Sequence, residues 1–116
     1  MVPAFRPSSV VIHPDVQAQY DHIERAALER KQPQAAIWKS FQVQVVRVKA
    51  DGQWGEVIPA SRIPRTFVKK YQVENLYCLD LASFRRCFYT LRHRDVVFLD
   101  IVGHPTYDKW FGVRKR

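Results

Sequence analysis

Acidic residues are scarce in this chain of 116. Eleven Asp and Glu stand against nineteen Lys and Arg, a formal net charge of +8. Between Glu56 and Glu74 there is no acid at all, and Arg62, Arg65, Lys69 and Lys70 fall in that stretch. A second basic cluster follows at Arg85, Arg86, Arg92 and Arg94, and the chain ends Arg114-Lys115-Arg116. Positive charge so unevenly placed costs the compact state self-repulsion unless a polyanion or an acidic partner meets it. Nucleic acid is the first candidate, because its affinity comes mainly from Lys and Arg meeting phosphates. A solvated basic surface is the bland alternative.

Glycine is also rare, with four residues and no phosphate-cradling loop among them. There is no nucleophile elbow and no paired-carboxylate motif. The two cysteines, Cys78 and Cys87, have neither C-x-x-C nor zinc spacing and read as reduced, half-buried thiols. His13, His22 and His93 are scattered without metal-ligand spacing. Metal-dependent and nucleotide-dependent chemistry is therefore not expected, nor is a cofactor. No apolar run approaches the ~20 residues that cross a bilayer, and Met1 to Pro7 has no apolar signal-peptide core. Together these absences lead to the expectation of a cytoplasmic protein with no membrane segment.

What is present suits one small globular domain. Hydrophobic residues make up 47% and aromatics 13%, too much for a disordered chain. The length matches one domain of roughly 100–200 residues. Residues 8–12 are β-branched and read as a strand. Pro14 and Asp15 then open a helix, since proline is tolerated in a first turn. Val16, Tyr20, Ile23 and Ala27 share one helical face, Asp21, Glu24, Arg25 and Glu29 the other, and Pro33 is the expected stop.

Residues 34–49 are ambiguous. Ile37, Phe41, Val45 and Val48 form a helical stripe, while Phe41, Val43 and Val45 alternating with Gln42 and Gln44 form an equally good strand. A turn at residues 50–52 follows. Residues 56–58 read as a short strand and residues 59–70, bracketed by Pro59 and Pro64, as an irregular basic loop. Strands are expected at 75–81, 84–91 and 96–102, the last two joined by the polar turn Arg92-His93-Arg94-Asp95. A short helix or turn at 106–111 closes at Gly112. The order predicts an α+β domain with its helices on one face of an antiparallel meander.

Alternation splits residues 84–91 into two faces. Arg85, Cys87, Tyr89 and Leu91 make the better core face, with Arg85 at the strand's start where it can reach water. Phe84, Arg86, Phe88 and Thr90 would then face outward. Along 96–102, Val97, Leu99 and Ile101 suit the core, leaving Phe98 and Asp100 outside. Arg86 beside aromatics on an open face suits a phosphate; an ordinary Arg86–Asp100 pair is the alternative. His104 follows the last strand and is the natural proton-transfer candidate, although a histidine before proline is more often a surface or capping residue.

The stretch Tyr89-Thr90, Val96 to Ile101 and His104-Pro105-Thr106-Tyr107-Asp108-Lys109-Trp110-Phe111-Gly112 resembles the RelE/ParE toxin superfamily, in its branch ending H-x-x-Y-D-x-x-F-G. Ile63-Pro64, Lys70-Tyr71, Val73 and Asn75-Leu76-Tyr77 are similar to that branch too. The likeness covers roughly residues 55–112 by motif and the first half by element order. It implies a RelE-like fold, two N-terminal helices packed on an antiparallel sheet, and so makes 34–49 a helix.

The resemblance further implies a metal-independent endoribonuclease that cuts mRNA, often on the ribosome, and a small acidic antitoxin as partner. The family's aromatic-R-x-x-Y pattern falls on Arg86-Cys87-Phe88-Tyr89, or on Phe84-Arg85 by its aromatic, and burial favours Arg86. Arg86, Arg85, His104 and Tyr107 are then the catalytic candidates. Arg62, Arg65, Lys69, Lys70 and Lys109 are the RNA-binding ones. Pro105 and Thr106 stand where the best-known RNases carry basic residues. A catalytically degenerate relative, binding RNA or an antitoxin, is the rival reading.

Overall fold

The computed structural model describes residues 5–112; the basic tail Arg114-Lys115-Arg116 lies outside the described residues. Over the described residues the protein is α+β, with four helices beside a five-stranded mixed sheet. In chain order these are β1 (Ser9–Ile12), α1 (Gln17–Leu28), α2 (Gln34–Ala50), β2 (Glu56–Val57), α3 (Arg65–Tyr71), β3 (Tyr77–Leu81), β4 (Arg85–Arg92), β5 (Asp95–Gly103) and α4 (His104–Phe111). Single 3-10 turns, Pro14–Val16 and Ala60–Arg62, precede α1 and α3. The strand order is β1-β5-β4-β3-β2. Three pairings are antiparallel, but β1 runs parallel to β5, so the sheet is mixed where an antiparallel one was expected.

Residues 34–49 resolve as helix. Ile37, Phe41 and Val48 are buried at helical spacing, while Val43, which a strand would have used, is exposed. In α1 the buried stripe is Tyr20, Ile23 and Ala26, one position from the expected Ala27. These two helices cover one face of the sheet. Phe41 meets Phe98 edge-on at 5.0 Å, Tyr20 lies 5.2 Å from Phe41, and the Tyr20 hydroxyl donates to the Leu99 carbonyl.

That contact marks an irregularity. Between Cys87–Ile101 and Tyr89–Phe98 the pairing of β4 with β5 slips, so β5 carries an extra residue. A bulge of this kind leaves backbone groups without ladder partners. On the other edge of β5, beyond Phe98 where the pairing with β1 ends, the amide of Gln19 accepts from the Ile101 N–H at 3.1 Å and donates to its carbonyl at 2.6 Å. The bulge also shifts the alternation, so Phe98 turns inward against Phe41 and Tyr89. The expectation that Phe98 faces outward is thereby overturned.

The opposite face is covered as well. The segment expected as an irregular loop contains α3, which begins right after Pro64, and its Phe67 and Tyr71 are buried one turn apart. Phe88, which alternation sends away from α1 and α2, is fully buried. It meets Phe67 at 5.2 Å, Trp110 at 6.0 Å and Phe111 at 5.8 Å. Helices therefore lie on both faces, not one, because Phe67, Tyr71 and Phe88 together are too apolar to leave in water. The end of that face near Arg85 and His104 is left open as a groove.

Candidate functional site

At that end, β3 turns into β4 through Ala82, Ser83 and Phe84, and β5 runs into α4 at Gly103. Helix α4 starts where Pro105 fits a first turn and stops where Gly112, at φ +78°, adopts a conformation that suits glycine. Between the hairpin tip and the start of α4 lies a groove of about 380 Å³, lined by Asp80, Ser83, Phe84, Arg85, Arg86 and His104 among others. Three of the four catalytic candidates are thus brought together.

Each is held differently. The Arg86 guanidinium pairs with Asp80, its register partner on β3, and not with Asp100. It also lies 4.4 Å over the Tyr107 ring, and its side chain is 22% exposed. Burial disfavours its charge, but the Asp80 carboxylate and neighbouring groups outweigh that, so its pKa is raised. Beside it, burial pushes the Cys78 thiol up to about 12, with Arg86 pulling the other way. Arg85 donates to the Ser83 carbonyl at 2.9 Å and, among the described residues, has no carboxylate partner. His104 contacts Asp108 through Nδ1 at 3.2 Å, an i,i+4 pair on α4. Donation from Nδ1 would leave Nε2 free to take up a proton. Tyr107 is buried, stacked on Phe88, and forms the support under Arg86.

The other candidates lie elsewhere. Arg62 donates to the Phe111 carbonyl at 2.8 Å, holding the far end of α4 about 10 Å from His104 at ~1.5 Å per residue. Lys70 stands 5.1 Å over the Tyr71 ring, and hydrogen bonding to that hydroxyl raises its pKa. Tyr71 in turn donates to Asp100 at 3.1 Å, which accounts for the acid once considered for Arg86. Arg65, Lys69 and Lys109 are exposed on α3 and α4, and none of these five cations lines the groove. Four groove residues, Asp80, Leu81, Ser83 and Phe84, were not among the sequence candidates. Asp80 could have been found from cross-strand pairing once the β3–β4 register was known. Phe84 was weighed only as an aromatic beside Arg85.

No helix among the described residues is long and apolar enough to cross a membrane, and no group of three or more His, Cys, Asp or Glu among them could hold a metal ion. Compared with known proteins, the chain matches no family model, no curated protein and no solved structure.

Proposed function

We propose that this chain is a RelE-like, metal-independent endoribonuclease of a toxin–antitoxin system, cleaving mRNA in the groove between the hairpin tip and α4. The observation that carries the reading is the convergence of Arg85, Arg86 and His104 on one open groove of about 380 Å³. RNA brings its own nucleophile, the 2′-OH. His104 Nε2 removes that proton, the 2′-oxygen bonds to phosphorus, the bond to the 5′-oxygen breaks, and that oxygen takes a proton from water while His104 returns its own to solvent. The products are a 2′,3′-cyclic phosphate and a 5′-hydroxyl. Arg85 and Arg86 stabilise the charge that develops on the phosphorane. Tyr107 holds Arg86 in place from below, and the cations of α3 draw the remaining RNA chain toward the site. The same +8 charge suits a small acidic antitoxin, and the substrate places the protein in the cytoplasm.

A second reading is favoured by one observation: the carboxylate of Asp80 already neutralises Arg86. A degenerate relative that binds RNA without cutting it would retain that pairing at no loss. One experiment separates the two. Single-stranded RNA is incubated with the purified chain in EDTA, its ends are analysed, and its affinity is measured across salt concentrations. An active enzyme yields cyclic phosphate ends, loses affinity steeply with salt, and slows on the order of 100-fold in Arg86→Ala. In Asp80→Asn it binds RNA more tightly. Salt-dependent binding without cleavage supports the degenerate relative, and absence of binding rejects both.

A further inference from the structure

At the tip of the β3–β4 hairpin, Ser83 has φ +59° and Phe84 φ +55°. Left-handed backbone is unfavourable for a bulky side chain, and glycine or asparagine is the usual solution. Phe84 is also 79% exposed, so it gains almost nothing from burial. Two unfavourable features at one residue suggest a use for the ring. Its surroundings say which use. The ring forms one wall of the groove, beside Arg85 and Arg86, and stands edge-on to the His104 ring with centroids 6.3 Å apart. Arg85 is tied to the same tip through the Ser83 carbonyl. A flat apolar face next to Arg85, which has no carboxylate partner among the described residues, matches a nucleotide, with base on ring and phosphate on guanidinium.

We infer that Phe84 is a stacking platform for one unpaired nucleobase next to the phosphate held by Arg85 and Arg86, so that the site takes single-stranded RNA and rejects duplex. The inference rests on the nucleic-acid reading of this groove and specifies its substrate. A base inside a duplex has both faces occupied by its neighbours and cannot lie on the ring, whereas an unpaired base can, with little regard to its identity.

The test measures affinity for a single-stranded oligoribonucleotide and for a blunt RNA duplex of the same sequence, using wild type, Phe84→Ala, Phe84→Gly, Phe84→Leu and Phe84→Trp. Phe84→Ala and Phe84→Leu should weaken single-strand binding by about 10-fold, leave the salt slope unchanged because no charge is lost, and barely alter duplex binding. Phe84→Trp should restore wild-type affinity. Phe84→Gly removes the left-handed backbone penalty, so weakened binding with an undiminished melting temperature assigns the loss to the ring. Single-strand affinity that survives Phe84→Ala overturns the platform and leaves the tip to a protein partner, while the nucleic-acid reading stands. A wild-type chain that binds neither RNA overturns the platform and that reading together.

Discussion

A single hydroxyl ties the segment after α2 to the centre of the sheet. Tyr89 donates to the Gly52 carbonyl at 2.8 Å and accepts from the Gly55 N–H at 2.9 Å. A side chain at position 55 could not share that space, because a Cβ there would stand 2.9 Å from the Tyr89 ring and 3.1 Å from the Cys78 carbonyl oxygen. Tyr89→Phe keeps the packing and leaves both backbone groups without their partner. It should cost about 1–3 kcal/mol, read as a lower urea midpoint with unchanged slope. An unchanged midpoint would show that water replaces the hydroxyl. At this scale the sequence was partly legible. Arg86 and His104 were singled out from residue type and position and Arg85 from the family resemblance, and the three meet at one groove. The Asp80 partner of Arg86 was not foreseen, because alternation tells which face a side chain takes and not which neighbouring strand supplies its partner.

Among the elements, α3 carries the most consequence for the site, since it and α4 close one face of the sheet together. Phe67 is their shared contact, edge-on to Phe88 at 5.2 Å, to Trp110 at 5.0 Å and to Tyr71 at 5.6 Å. Phe67→Ala should cost about 3–5 kcal/mol, measured by chemical denaturation, and should loosen α4 so that amide exchange rises over residues 104–111. Protection of α4 unchanged by the substitution would mean that Phe88 and Arg62 alone secure it. The sequence did not disclose α3. Two prolines made the segment read as irregular, although Pro64 stands just before the helix, where a missing N–H costs nothing. Phe67 and Tyr71 at i,i+4 were the available signal. The bulge in β5 was equally hidden, because its extra residue shows only in the pairing with β4, which alternation within one strand does not reveal.

For the whole molecule, two opposing effects decide how stability responds to alkali. The net charge of +8 makes the folded chain repel itself, and raising the pH relieves that repulsion. Cys78 and Cys87 act in the other direction. Burial pushes both thiols up to about 12, against ~8.5 in an unfolded chain. Between those values the unfolded state gives up protons that the folded state keeps, so the thiols' contribution is complete below ~8.5 and is lost as the pH rises toward about 12. The loss is at most about 1.4 kcal/mol per pH unit for each thiol. Burial also raises Tyr20 and Tyr89, which adds the same sign above their ordinary range near ~10. Salt separates the two effects, because it screens surface repulsion and leaves buried thiols untouched. In reducing buffer with high salt, the melting temperature should be flat from pH 7 to 8.5 and fall clearly by pH 10. At low salt the fall should be shallower, because relief of repulsion offsets part of it. A melting temperature that stays flat to pH 10 at high salt would mean that the thiols ionise as readily in the folded chain as in the unfolded one, and that the sheet around Cys78 and Cys87 admits water.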